Sequence, residues 1–284
     1  MEIINRRQRM FSISRKLRRE EKTVGFVPTM GALHEGHISL VKEARARCDI
    51  VIVSLFVNPE QFNDKADLER YPRDLTADAA MLAEHGVDYV FAPDVEEIYP
   101  PGFATYVNVE GLTDAMEGSS RPGHFRGVAT VVTILLNTVR PSLAFFGQKD
   151  AQQVAVIKRL VTDLGFETEV VVMPTVREDS GVAMSSRNSL LTSEEREKAS
   201  ILITALREAK TAFKKGERNA ADLAQIVRNR LGSEPSASID YVQIVDSDSL
   251  QVVEKIGDEE TLILAAVYFG DIRLIDNVVL NRKQ

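Results

Sequence analysis

The stretch "GFVPTMGALHEGHISLV", Gly25 to Val41, decides how this chain is read. Its first part, "TVGFVPT" (23–29), is short and largely apolar, as a buried strand is. The part from His37 on places Ile38, Val41 and Ala44 at the spacing of one helix face. Between them lies a strand-to-helix turn that carries two histidines, His34 and His37, around Glu-Gly.

Outward from this unit the same alternation repeats. "DIVIVSLFVNP" (49–59) is nearly all apolar, the signature of a strand buried on both faces. "ADAAMLAEHG" (77–86) reads as a helix ending at Gly86, and "VDYVFAP" (87–93) as the next strand. "VATVVTILLNTVR" (128–140) is ambiguous in composition, but its length favours a buried helix. "LAFFGQKD" (143–150) reads as a strand entering a polar turn, "AQQVAVIKRLVTDLG" (151–165) as a helix and "TEVVVMPTV" (168–176) as a strand. Such alternation predicts an α/β fold, a parallel sheet with helices on both faces. Ligands of such sheets sit beyond the carboxyl ends of the strands. The turns "PTMGALHEGH", "NPEQF" and "GQKD" are therefore the places to search.

Beyond about residue 175 the texture changes. "TSEEREKASILITALREAKTAFKKG" (192–216) opens with a capping signature at Thr192 or Ser193, a second helix is expected over about 220–231, and the strand-like runs "SIDYVQIV", "TLILAAVYF" and "IRLIDNVVL" follow. A smaller α+β C-terminal domain is expected, giving a division into 1–175 and 176–284.

Composition narrows the function. The chain has 284 residues and a formal net charge of −7, which disfavours nucleic acid as a partner. No apolar run approaches the roughly 20 residues that span a bilayer, so no membrane association is expected. The N-terminal "MEIINRRQRMF" lacks the apolar stretch of a signal peptide. The one cysteine, Cys48, has no intrachain partner, and its plain reading is a small core residue. A cytoplasmic protein is expected.

The histidine pair admits several chemistries. A helical zinc site needs histidines four apart with glutamate between them; "HEGH" sets them three apart with a glycine, so no metal site is expected. The turn has neither the dinucleotide fingerprint nor a Gly-Lys-Ser phosphate loop. A turn residue plus a helix cap is the bland alternative. Two imidazoles at a helix N-terminus, beside free N–H groups and the positive dipole end, also suit a phosphate gaining charge. Gly36 would let a flat base lie against the backbone. Elsewhere, Lys149 and Asp150 occupy a strand-to-helix turn, and Arg187 offers planar donors to phosphate. "EGSSRPGHFRGV" (117–128) reads as a loop or a lid.

Taken together, "PTMGALHEGHISLV", "FVNPEQF", "YPRD", "EGSSRPGHFRGV", "FFGQKDAQQ" and "MSSRN" occur in the order found in the pantothenate synthetase (pantoate–β-alanine ligase) family, which the chain resembles over essentially its whole length. The resemblance implies a Rossmann-like first domain and a small C-terminal domain that closes over the site. It implies that ATP and D-pantoate form pantoyl adenylate and pyrophosphate, that β-alanine then attacks to give pantothenate and AMP, that Mg2+ accompanies ATP, and that the protein is a homodimer. By motif, His34 and His37 would contact the ATP phosphates, His37 in an acid role. Met30 would line nucleotide and pantoate. Gly147, Lys149 and Asp150 would hold ATP, with His34 and Lys149 counted as catalytic beside His37. Val176 would meet adenine through its backbone, and Met184, Ser185, Ser186 and Arg187 would hold the triphosphate. Gln61 and Gln153 would bind pantoate, Gln61 also lying near β-alanine. Ala183 and Ser186 stand where aminoacyl-tRNA synthetases carry signature lysines, which argues against that activity.

Overall fold

A computed structural model describes residues 1–281. By compactness the chain divides into two units. The first comprises Met1–Gly147 with Gln152–Met173; the second comprises Gln148–Ala151 and the chain from Pro174 onward.

The first unit is built on a six-stranded, wholly parallel sheet. Its strands are β1 (Glu2–Ile4), β2 (Val24–Thr29), β3 (Ile50–Leu55), β4 (Tyr89–Phe91), β5 (Leu143–Gly147) and β6 (Glu169–Met173). Its helices are α1 (Arg7–Arg19), α2 (Glu35–Arg47), α3 (Lys65–Arg70), α4 (Leu75–Glu84), α5 (Val95–Ile98), α6 (Glu117–Ser120), α7 (His124–Val139) and α8 (Ala151–Asp163). The spatial order is β1-β4-β3-β2-β5-β6. The order therefore reverses between β2 and β5, and the crevice beyond their carboxyl ends is where ligands of open parallel sheets bind.

Both faces of the sheet are covered, which is why its strands read as apolar runs. On one face Val27, Val51, Val53, Val90 and Phe145 pack with Ile38, Val41 and Ala44 of α2 and Leu82 of α4. The alternate residues Phe26, Ile52 and Phe91 are fully buried too. Close packing fixes Gly25: a Cβ there would lie 2.9 Å from Cys48 Sγ. Cys48 is buried as expected, and burial pushes its thiol pKa up. It is an inert core group rather than a nucleophile.

The second unit packs α9 (Ser193–Ala199), α10 (Ile201–Lys214) and α11 (Ala220–Gly232) with an antiparallel sheet of β7 (Ala237–Asp246), β8 (Thr261–Phe269) and β9 (Ile272–Asn281). The central strand β8 is buried along nearly all its length. Leu206, Leu223, Val227, Ile263 and Phe269 form its core. Thr192 is the cap of α9, in a reciprocal box with Glu195. The single helix expected over 192–216 is two, divided at Ser200. No helix in the described residues is long and apolar enough to cross a membrane.

The sequence reading passed over β1 and α1. In α1 the buried stripe of Met10, Ile13 and Leu17 is interleaved with six basic residues, and no side chain caps its start.

Candidate active site

The turn after β2 is a short structure of enforced backbone. Gly31 and Ala32 both have positive φ, 83° and 51°. Ala32 gains nothing from this conformation, which for a residue with a Cβ costs on the order of 1 kcal/mol. The turn is held from outside by Asp78 of α4, which is buried. Asp78 Oδ2 accepts the N–H of Ala32 at 3.0 Å, and Oδ1 accepts the N–H of Leu33 at 2.9 Å. Gly31 faces the same carboxylate, and a Cβ there would lie 2.8 Å from Oδ2. Thr29 adds a third tie, accepting from Gly31 N–H and donating to the carbonyl of Ser54 on β3.

His34 follows as the N-cap of α2, and His37 is its third residue. The two form a reciprocal cap. His34 Nδ1 accepts the N–H of Gly36 at 3.1 Å, and His37 Nδ1 accepts the N–H of His34 at 3.3 Å. Their rings lie 4.1 Å apart, tilted by 36°. A ring nitrogen that accepts carries no proton, so in each neutral imidazole the N–H sits on Nε2. The bland reading of the pair as a helix cap is therefore correct in itself, and it leaves Nε2 as the nitrogen that carries the proton of each neutral ring.

The turn after β3 holds Gln61. Asn58 caps the 3-10 turn Pro59–Gln61, and it is 1 % exposed. Its Oδ1 accepts from Glu60 N–H and from the Tyr99 hydroxyl; its Nδ2 donates to Gln61 Oε1 and to the carbonyl of Gly127. Gly127 is a close-approach glycine: a Cβ there would lie 2.2 Å from the carbonyl oxygen of Glu60. The segment 117–128, read as a loop or lid, contains α6 and the start of α7. Arg121 and His124 from it meet the Gln61 carbonyl at 3.2 and 2.9 Å. Glu60, Gln61, Asn63, His124 and Gly127 line a small pocket here. Of the two adjacent glutamines on α8, Gln152 is buried and bonded to Leu112, Ala115 and Glu117, whereas Gln153 is half-buried. At the end of β5, a Cβ on Gly147 would meet nothing within 4 Å.

The other expected site residues lie in the second unit. Gln148–Asp150 form a 3-10 turn, tied to β9 by Asn277, whose Nδ2 donates to the carbonyls of Gln148 and Lys149. Lys149 Nζ stands 3.7 Å from Asp150 Oδ1. In the 184–188 segment Met184 N–H donates to the Val176 carbonyl, and Ser185 Oγ accepts from Arg187 N–H as the cap of a 3-10 turn. Buried Asn188 donates to Glu178 and to the carbonyl of Ala183. Arg177 grips buried Asp276 with two bonds, 2.6 and 3.0 Å. Met184 to Arg187 thus belong to a cross-linked element and not to a free loop.

Asn58, Tyr99 and Asp78 were not singled out from sequence. Asn58 had a signal, since Asn-Pro favours turn initiation. Tyr99 and Asp78 had none, because each reaches its partner across 41 or more residues.

The family model for pantoate-beta-alanine ligase matches residues 2–279. Pantothenate synthetase from Pelotomaculum thermopropionicum is 52% identical over 268 residues, 94% of this chain and 95% of that protein. The enzyme of the same name from Thermotoga neapolitana is 50% identical, over 99% and 100% of the two chains. The crystal structure of pantoate-beta-alanine ligase from Thermus thermophilus superposes with a TM-score of 0.93 at 46% identity, covering 99% of this chain and all of that one. A ligase from Francisella tularensis, complexed with beta-gamma ATP and beta-alanine, gives 0.80 at 38% identity, over 99% and 98% of the chains. The parallel sheet with its histidine-capped turn, the antiparallel second unit and these full-length matches place the chain in the pantoate–β-alanine ligase family.

Proposed function

We infer that this chain condenses D-pantoate with β-alanine, consuming ATP, to give pantothenate, AMP and pyrophosphate. The pantoate carboxylate attacks the α-phosphorus, forming pantoyl adenylate as pyrophosphate leaves. The amine of β-alanine then attacks the acyl carbon, and AMP departs with the bonding electrons. Two steps are needed because a carboxylate is a poor electrophile and oxide will not leave. Adenylylation turns that oxygen into part of a phosphate, which leaves readily. The protein's share is positioning and charge stabilisation.

The observation that carries this reading is the reciprocal histidine cap at the start of α2, beside the crevice where the strand order reverses. Two Nε2–H donors and a helix N-terminus are suited to a triphosphate that gains charge as its α–β bridge breaks. His34 and His37 are assigned to the ATP phosphates, with His37 assisting departure of pyrophosphate. The cap favours assistance by a hydrogen bond, because a ring protonated on both nitrogens would lose its Nδ1 acceptor. Met30 and Gly147 are assigned to ATP at the ends of β2 and β5, and the unfilled space at Gly147 suits close approach of a nucleotide. Lys149 is assigned to phosphate and Asp150 to ribose. Val176 is assigned to adenine, and Met184, Ser185, Ser186 and Arg187 to the triphosphate. Gln61 and Gln153 are assigned to pantoate, Gln61 also near β-alanine.

Mg2+ is expected to arrive on ATP, held by phosphate oxygens and water as this hard ion prefers. There it would supply positive charge to offset that of the leaving pyrophosphate. Among the described residues no group of three or more His, Cys, Asp or Glu is placed to hold a metal. A cytoplasmic homodimer completes the reading.

The test is incubation with ATP, Mg2+, D-pantoate and β-alanine, with mass detection of pantothenate and AMP. Product should require all four, and pyrophosphate should appear without β-alanine in a single turnover. Release of ADP and phosphate, or of a product that keeps the nucleotide, would sink the reading.

A further inference from the structure

We propose that Tyr99 is a positioning residue which, through Asn58, fixes the amide of Gln61 so that it presents N–H donors to a pantoate oxygen. This rests on the assignment of Gln61 to pantoate made above. The inference follows from the polarity of backbone groups. The N–H of Glu60 only donates and the carbonyl of Gly127 only accepts, and Asn58 meets one with each end of its amide, at 3.3 and 3.1 Å. The amide of Asn58 therefore has one orientation. Its Oδ1 is also the atom reached by the Tyr99 hydroxyl at 2.7 Å, so Tyr99 must be the donor. Its second N–H points at Gln61, 3.0 Å away, so Gln61 must answer with Oε1. The remaining end of Gln61 is the amino group, which donates and cannot accept. A carboxylate or hydroxyl oxygen is its complement.

Tyr99 supplies the shortest bond in this chain of contacts. Its ring packs between Phe56 and Phe103, with centroids 6.3 and 5.0 Å away, so the hydroxyl is not free to swing. Burial also holds its pKa far above the usual phenol range, and the group stays a donor at every working pH. Without it, the Oδ1 of Asn58 keeps only the longer bond from Glu60.

Steady-state kinetics on the full-length protein test this, with wild type, Y99F, Q61A, the double variant Y99F/Q61A and N58D, each checked for melting temperature. Y99F should raise KM for D-pantoate about three- to tenfold, the worth of one hydrogen bond, with KM for ATP unmoved. In the Q61A background the same substitution should have no effect on pantoate, because its action passes through Gln61. N58D has no N–H for Gln61, which must then turn its amino group inward; KM for pantoate should rise more than in Y99F. Equal effects of Y99F with and without Gln61, or a parallel change in KM for ATP, would mean general loosening and overturn the proposal. If Q61A impairs pantoate use and Y99F is silent, the relay fails and the assignment of Gln61 stands. A Q61A enzyme with normal pantoate KM removes that assignment and the relay with it.

Discussion

Replacing Asp78 should show how much of the histidine pair's geometry is imposed from outside its own turn. The carboxylate accepts two backbone N–H groups, from Ala32 and Leu33, at 3.0 and 2.9 Å. A hydrogen bond to a charged acceptor contributes about 1.5–3 kcal/mol to stability. In Asp78→Asn one oxygen becomes an amino group that faces an N–H, so one such bond is lost and about 2 kcal/mol of stability with it. In Asp78→Ala both are lost. The freed N–H groups belong to half-buried residues that water reaches in part, so the cost is about 3 kcal/mol rather than the full sum. Ala32 then has no reason to keep its φ of 51°, and relaxing it recovers about 1 kcal/mol while carrying His34 out of place. Urea unfolding measures the first effect, and single-turnover pyrophosphate release at saturating ATP measures the second. The rate should fall in the order wild type, Asn, Ala, by about tenfold or more for Ala, a part of what one misplaced transition-state donor costs. An Asp78→Ala protein that is destabilised as stated but releases pyrophosphate at the normal rate would refute the reasoning, since the clamp would then support the fold and not the histidines.

Three further outcomes are expected. His37→Ala should leave the protein folded and slow adenylate formation by about 10²-fold or more in the same assay, the scale of one lost donor to a developing charge. Lys149→Ala should impair ATP use more than Cys48→Ala does, as read from KM for ATP, because Cys48 is a buried thiol with no ligand role. Stability should decline as pH rises above about 10, the ordinary tyrosine value, because the pKa of Tyr99 is raised in the folded state and the unfolded chain gives up that proton first. Melting curves between pH 9 and 11 should fall less steeply for Tyr99→Phe than for wild type.

Much of the first sheet was legible because its strands are buried on both faces and its helices are amphipathic, so periodicity and apolar runs agree with the fold. Strand 23–29 and helix 37–48 match β2 and α2 within two residues at each end. Legibility failed where charge hides the apolar stripe, as in α1, and where an element is too short to show a period, as in β1. The site divides in the same way. Candidates in local motifs, such as His34, Gln61 and Lys149, are suggested by their neighbours in sequence. Asp78 and Tyr99 act on turns that only the fold brings to them. Among the acidic residues from Glu60 to Glu84, nothing local distinguishes Asp78 as the one that is buried.

Because each imidazole caps a helix start and is proposed to meet a ligand as well, alanine at either position would conflate two losses. Removing a side-chain cap costs about 1 kcal/mol by itself, so a weakened first turn would accompany any lost chemistry. Asparagine at 34 and glutamine at 37 retain an acceptor for the backbone while deleting the ring, and so separate the architectural duty from the chemical one. On the proposed assignment the same double duty narrows what mutation can offer here: a replacement would have to satisfy the peptide groups behind it and a phosphate in front of it at once, as a rigid ring does with an acceptor at Nδ1 and a donor at Nε2.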